Sequence, residues 1–273
     1  HSKGIHLIVP RIGSGERVFA FFDEDERLYY VIPMGDRSVI GTTDTRVDEP
    51  TTTVTDEDRE FLLRQINGRL DLDKPLTAGD VIAERCGVRP LVVDASSNHE
   101  ESDWLQLSRK HEIEIDHSRS VVSIFGGKLT DCLNVGEEVL DAVSQLGISA
   151  NKLDDSWFGE PPAADFDRFH ARVNANGEVD DDTAELLWRR YGRRANFVLD
   201  RVIADPALAE IMWEDPRYIK AEIVEIGEYE MVARVEDFLR RRTSLSLTEH
   251  GEELEDRIAE ISELLGIAPA ASV

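Results

Sequence analysis

Two glycines followed by a lysine, in Phe125-Gly126-Gly127-Lys128-Leu129-Thr130, form the stretch best suited to chemistry. Glycines at a tight turn let backbone N–H groups approach a ligand closely. A helix start beside them adds partial positive charge, and Lys128 adds a full one. Such a turn suits an anion or an electron-rich ring edge, and it also serves as a plain tight turn. Arg89, between Gly87 and Pro90, can offer a planar fork to a phosphate or carboxylate. Arg109 sits at another strand junction, and either arginine can equally be a surface ion-pair partner. His6 alternates with Ile5 and Leu7, so it faces the other side of its strand, as a site residue or as a structural histidine. Gly41-Thr42-Thr43-Asp44 can offer hydroxyls to a ligand or simply end a strand. The seven histidines show no HExxH or paired spacing, so no metal site is expected.

These residues need elements to hold them. Residues 1 to about 50 read as antiparallel strands, among them Gly4 to Val9, Val18 to Phe22, Leu28 to Met34 and Ser38 to Gly41. Gly13-Ser14-Gly15 precedes a strand rather than a helix, so it reads as a hairpin turn and not as a dinucleotide fingerprint. Thr55 caps a helix whose first turn carries Asp56, Glu57 and Asp58 and whose apolar face carries Phe61, Leu62, Ile66 and Leu70. A strand over Val81 to Arg89 ends at Pro90, and a polar loop follows over Asp94 to Asp103. Strands over Trp104 to Leu107 and His111 to Asp116 come next. The β-branched run Ser120 to Ile124 reads as a buried strand leading into the glycine–lysine turn. Leu129 to Leu146 then shows helical spacing.

The character changes after about residue 150. Trp157 to Pro162 reads as a linker, because paired prolines cannot continue a helix. Beyond it the pattern is helical: Thr183 to Tyr191, Phe197 to Ile203, Tyr218 to Ile226, Val232 to Arg241 and Glu252 to Leu265. The division expected is residues 1–155, of mixed structure, and residues 156–273, all helical.

Composition narrows the partners. The formal net charge of −25 argues against nucleic acid and against a general anionic membrane surface. An anionic ligand would need a local basic cluster working against that field. No apolar run reaches the roughly 18 residues of a spanning helix. The cysteines, Cys86 and Cys132, give neither a disulfide framework nor a cysteine-based zinc site, which points to a reducing compartment.

Six motifs in order carry a resemblance. They are Ser2-Lys3-Gly4-Ile5-His6-Leu7-Ile8-Val9-Pro10-Arg11, Val31-Ile32-Pro33, Ile40-Gly41-Thr42-Thr43-Asp44, Gly87-Val88-Arg89-Pro90-Leu91, Ser108-Arg109 and Phe125 to Thr130. Together they resemble the FAD-dependent, respiratory glycerol-3-phosphate dehydrogenases and their oxidase relatives. The region of Glu225, Glu228, Glu230, Ala233, Asp237, Leu239, Arg241, Arg242 and Thr243 is similar to that family's C-terminal domain. The chain departs from the family after Thr130, with Asp131-Cys132-Leu133 where Thr-Tyr-Arg is usual. The family's N-terminal FAD fingerprint does not occur, so the chain is expected to be the later part of a longer protein and to hold no FAD by itself.

The resemblance implies an α+β fold: an antiparallel substrate-domain sheet with part of the FAD domain, followed by an all-helical C-terminal domain. It implies oxidation of sn-glycerol 3-phosphate to dihydroxyacetone phosphate by hydride transfer to FAD, with electrons passed to quinone. His6 would be the base, because its pKa lies near working pH. Arg89 and Arg109 would clamp the phosphate or the developing carbonyl oxygen. Lys128 would serve both the substrate and the pyrimidine edge of the flavin, with Gly126, Gly127, Leu129 and Thr130 completing the cofactor turn. The alternatives are a glycerophosphate oxidase that uses oxygen and a non-catalytic binding or regulatory module. A cytoplasmic protein, peripheral on the inner face of the cell membrane, and a homodimer are both compatible with this family.

Overall fold

Ile5, Leu7 and Val9 alternate along one strand, and the N-terminal sheet grows outwards from that strand. The computed structural model describes residues 1–13, 15–23, 27–89, 111–149, 161–249 and 252–267. The strands are β1 (Ser2–Pro10), β2 (Phe19–Phe22), β3 (Leu28–Met34), β4 (Arg37–Gly41), β5 (Thr45–Arg46) and β6 (Ala83–Arg89). They pair antiparallel in the order β2-β3-β4-β1-β6. β5 continues the β4 side of β1 after a break at residues 42–44.

One face of this sheet is covered by α1 (Asp56–Arg69). Thr55 starts the helix as its sequence requires: its hydroxyl accepts the Asp58 N–H, and Asp58 accepts the Thr55 N–H at 2.9 Å. Leu62, Leu63 and Ile66 pack against Ile5, Leu7, Val9, Tyr29, Val31 and Ile40 to make the core. A buried ion pair, Lys3 Nζ to Asp58 Oδ2 at 2.6 Å, ties β1 to the helix start.

Residues 111–149 form a hairpin and a helix: β7 (Glu112–Asp116), β8 (Val121–Phe125), a 3₁₀ turn over Leu129–Asp131 and α2 (Cys132–Gln145). Here the structure corrects the sequence reading. The run Ser120 to Ile124 does not form a buried strand, since Val121, Ile124 and Phe125 are each nearly half exposed. Apolar composition reports what a strand is fit to pack against, not whether a neighbour is present.

The remainder is a helical region of two packed cores. Its elements are α3 (Ala163–Asn176), α4 (Asp181–Tyr191), α5 (Ala195–Ala204), β9 (Ile211–Glu214), β10 (Arg217–Ile219), α6 (Lys220–Tyr229), α7 (Val235–Asp237), α8 (Leu245–Thr248) and α9 (Glu252–Leu265). The small β9–β10 hairpin interrupts the helices where the sequence reads only helix, and Tyr218 lies in it rather than in α6. The helix read over Val232 to Arg241 is a short α7 running into a π turn over Phe238–Arg242. The helical region meets the sheet through Arg37, which donates to the Thr248 carbonyl at 2.9 Å, and through the Asp36 N–H, which donates to Asp215 at 3.2 Å. No helix among the described residues is long and apolar enough to cross a membrane. The expected boundary at residue 155, the loop Asp94 to Asp103 and the strand Trp104 to Leu107 lie outside the described residues.

Candidate active site

The face of the sheet opposite to α1 carries the candidate residues. Directly opposed residues of an antiparallel pair project to the same side. β1 pairs Ser2 with Arg89, Gly4 with Gly87 and His6 with Arg85 on one flank, and His6 with Gly41 on the other. These side chains therefore leave the sheet opposite to Ile5, Leu7 and the α1 core. His6 and Arg89 share one face, separated by the glycines of positions 4 and 87.

That floor is bare for a reason. A Cβ on Gly4 would collide with the Arg89 guanidinium, and a Cβ on Gly41 would collide with the His6 ring. A Cβ on Gly87 would meet nothing within 4 Å, so the middle of the face is open. Glycine here gives close approach and room, at a cost in strand stability.

Arg89 is aimed by three neighbours from two segments, β1 and residues 42–44. Its Nη2 donates to Thr42 Oγ1 at 3.1 Å and its Nη1 to Ser2 Oγ at 3.5 Å. Ser2 Oγ in turn donates to Asp44, whose carboxylate lies 3.9 Å from Arg89 Nη1. The break at residues 42–44 makes this possible. Thr43 Oγ1 accepts the Ile5 N–H at 3.1 Å, replacing a ladder bond while Thr42 and Asp44 turn to the arginine. The threonine motif thus ends a strand and also positions Arg89.

His6 is half-buried. Burial pushes its imidazole down to about 4, and the nearby charges of Arg85 and then Arg89 push it the same way. The ring is neutral at pH 7, but at about 4 it is a weaker proton acceptor than the near-neutral imidazole expected from the sequence.

The glycine–lysine turn lies on the hairpin–helix unit. Gly126 and Gly127 adopt φ of 66° and 91°, a left-handed conformation that side chains disfavour. Lys128, Leu129 and Thr130 are exposed. Among the described residues no hydrogen bond or ion pair joins Lys128 to His6 or Arg89. Arg109 lies outside the described residues. The open glycine backbone and exposed lysine fit the edge of a flat, electron-accepting ring.

Several contributors were hidden from sequence reasoning. Ser2, Gly4 and Arg85 join the face only through strand register, and the contact of Thr42 and Asp44 with Arg89 depends on the break at residues 42–44. His111 is buried under the turn, where a Cβ on Gly127 would come 3.0 Å from the His111 Cβ. Asp131 Oδ2 lies 3.3 Å from its Nδ1 and Glu138 Oε2 3.0 Å from its Nε2, both without hydrogen-bond alignment. The departure to Asp131 therefore sets a carboxylate against a buried histidine.

The family described as FAD dependent oxidoreductase matches residues 1–124, and the C-terminal domain of alpha-glycerophosphate oxidase matches residues 160–266. Glycerol-3-phosphate dehydrogenase 2 of Mycobacterium tuberculosis is 30% identical over 254 residues, which cover 90% of this chain and 42% of that protein. The aerobic glycerol-3-phosphate dehydrogenase of Escherichia coli is 27% identical over 88% of this chain and 48% of its own length. The crystal structure of the glycerol-3-phosphate dehydrogenase from Bacillus halodurans complexed with FAD superposes with a TM-score of 0.67 at 25% identity, covering 97% of this chain and 53% of that one. The chain thus spans less than half the length of these two curated relatives. With both families matched in order along the chain and a FAD-complexed dehydrogenase sharing its fold, the chain belongs to the FAD-dependent glycerol-3-phosphate dehydrogenase family.

Proposed function

We propose that the protein containing this chain oxidises sn-glycerol 3-phosphate to dihydroxyacetone phosphate. The observation that carries this reading is the register-fixed pair of His6 and Arg89 on one open glycine face. Arg89, oriented by Thr42, Ser2 and Asp44, offers its fork to the phosphate or to the oxygen at C2. His6, neutral at pH 7, takes the C2 hydroxyl proton onto a ring nitrogen. A phosphate dianion beside Arg85 and Arg89 offsets the charges that depress the imidazole. The base therefore strengthens as substrate arrives. FAD, when bound, supplies the acceptor for the C2 hydride, so substrate loses a hydride and a proton in all.

Gly126, Gly127, Lys128, Leu129 and Thr130 would hold the flavin edge. Lys128 would stand where negative charge collects on reduction, and Arg109 would join Arg89 on the substrate. The exposed apolar residues Val121, Ile124, Phe125, Leu129 and Leu133 are suited to packing against the rest of a FAD domain. Residues 1–155 are the substrate-binding part with a portion of that domain, and residues 156–273 the helical C-terminal domain. Electrons pass to quinone. Because quinones dissolve in lipid, this calls for peripheral contact with the inner face of the membrane; a homodimer is compatible with it.

The match to an oxidase C-terminal domain favours a second reading, with oxygen as acceptor. Turnover of the full-length flavoprotein on sn-glycerol 3-phosphate with a quinone-like dye, set against peroxide release, tests both. Dye reduction without peroxide supports the dehydrogenase, peroxide the oxidase, and neither would defeat the proposal.

A further inference from the structure

A third cation, Arg85, stands on the same face and has no assigned role. β6 pairs it directly with His6, so guanidinium and imidazole leave the sheet side by side. Its neighbour Glu84 projects to the other face, where Arg59 of α1 donates to it at 2.9 Å. Arg85 has no ion pair among the described residues. It is exposed, and it borders a cavity of about 650 Å³ between β6 and the α7–α8 segment, so its guanidinium has room and reaches solvent.

The other groups around the imidazole leave Arg85 prominent. β4 contributes Gly41 and Val39 to this face, β3 contributes Tyr30 and Ile32, and β1 contributes Ser2 and Ile8. From β6 comes Arg89, whose charge is shared with Ser2, Thr42 and Asp44. Across the cavity, Arg240 is held by Glu236 at 2.8 Å. Glu84, which also lines that cavity, is held by Arg59, and among the described residues no other carboxylate stands beside Arg85 and His6 at their register position. Arg85 accordingly acts on the ring more strongly than Arg89 does.

We propose that Arg85 is a positioning residue for the His6 site: paired directly with His6 across the strands, its guanidinium adds to burial in disfavouring the protonated ring until an anion arrives on this face to compensate the charge. The role in turnover rests on the function proposed above; the electrostatic coupling does not. A like charge opposite a titratable ring disfavours its protonation. An anion lying over the glycine floor reverses that effect.

The test is an NMR titration of histidine-labelled chain, with His6→Asn used to assign the resonance. The wild-type ring should titrate near 4. In Arg85→Gln its proton affinity should rise roughly three- to tenfold, whereas Arg85→Lys should keep it close to wild type. Inorganic phosphate should raise the wild-type midpoint and move that of Arg85→Gln less. An unmoved midpoint in Arg85→Gln would overturn the proposal. So would a shift as large in Arg85→Lys, since packing rather than charge would then be responsible. If acid unfolding hides the midpoint, the full-length FAD enzyme decides: the acid limb of kcat/KM should move to higher pH in Arg85→Gln and stay put in Arg85→Lys, and an unmoved limb would count against it. Failure of the glycerol 3-phosphate reading would appear separately, as no flavin reduction by that substrate, with the titration result unaffected.

Discussion

The Arg89 guanidinium lies over Gly4, in the space that a side chain at that position would need. The two residues come from different strands, brought together because β6 pairs along β1. A methyl group on Gly4 would push the end of Arg89 away from Ser2 and Thr42. The displaced group is the tip of a flexible chain, so Gly4→Ala should still fold. Its kcat/KM for sn-glycerol 3-phosphate in the full-length enzyme should fall by about 1–3 kcal/mol in transition-state binding, the range for charge-assisted hydrogen bonds. A thermal melt beside the kinetics checks that the loss is local.

Acid should weaken the sheet through His6. Its folded form titrates at about 4, below the ordinary histidine value of 6.5. Between those values the unfolded chain binds the extra proton. The contribution of His6 is therefore full above about pH 6.5 and lost as the pH falls towards 4. The shift sets a ceiling of about 3 kcal/mol, and solvent screening of a half-buried ring brings it nearer 1–2. Urea unfolding of wild type and His6→Asn at pH 7 and pH 5 should show the smaller pH dependence in the variant.

Much of this fold was legible locally. Alternation of Ile5, His6 and Leu7 correctly set His6 opposite to the core, and Thr55 with Asp58 marked a helix start that forms as written. These signals lie within a few residues of one another. The glycine floor was not legible, because Gly4, Gly41 and Gly87 meet only through pairing between strands far apart in sequence. Nor were the partners of Arg89, for the same reason. The apolar run at Val121 misled because hydrophobicity cannot say whether the covering surface lies within the same segment. The β9–β10 hairpin was missed because Trp213 and Tyr218 also suit the apolar side of a helix.

The Lys3–Asp58 pair supports the site from beneath. Burial alone would push the Asp58 carboxyl up, but hydrogen bonds from Lys3 and Thr55 bring it below the usual range. Lys3→Met would leave a buried carboxylate with only its helix-cap partners. The expected loss is about 2–4 kcal/mol at pH 7, slightly less than for a buried ion pair with no other support. The loss should shrink towards pH 4, where the stranded carboxyl is neutralised by protonation. Denaturant unfolding at both pH values measures it.

The turn of the hairpin–helix unit should resist substitution for two separate reasons. Gly127 has φ of 91°, and a Cβ there would come 3.0 Å from the His111 Cβ. Gly127→Ala should cost about 1–3 kcal/mol locally. Hydrogen exchange should show faster opening of β7, β8 and α2 and unchanged protection in the N-terminal sheet.

The most direct measurement is the single-turnover reduction of bound flavin when the full-length enzyme is mixed with sn-glycerol 3-phosphate in a stopped-flow instrument. His6→Asn should slow the bleaching of the flavin band by about 10²–10⁴-fold, the contribution of a positioned general base. Arg89→Lys should raise the substrate concentration needed for half-maximal rate. Bleaching at the wild-type rate in His6→Asn, with flavin fully bound, would contradict the account.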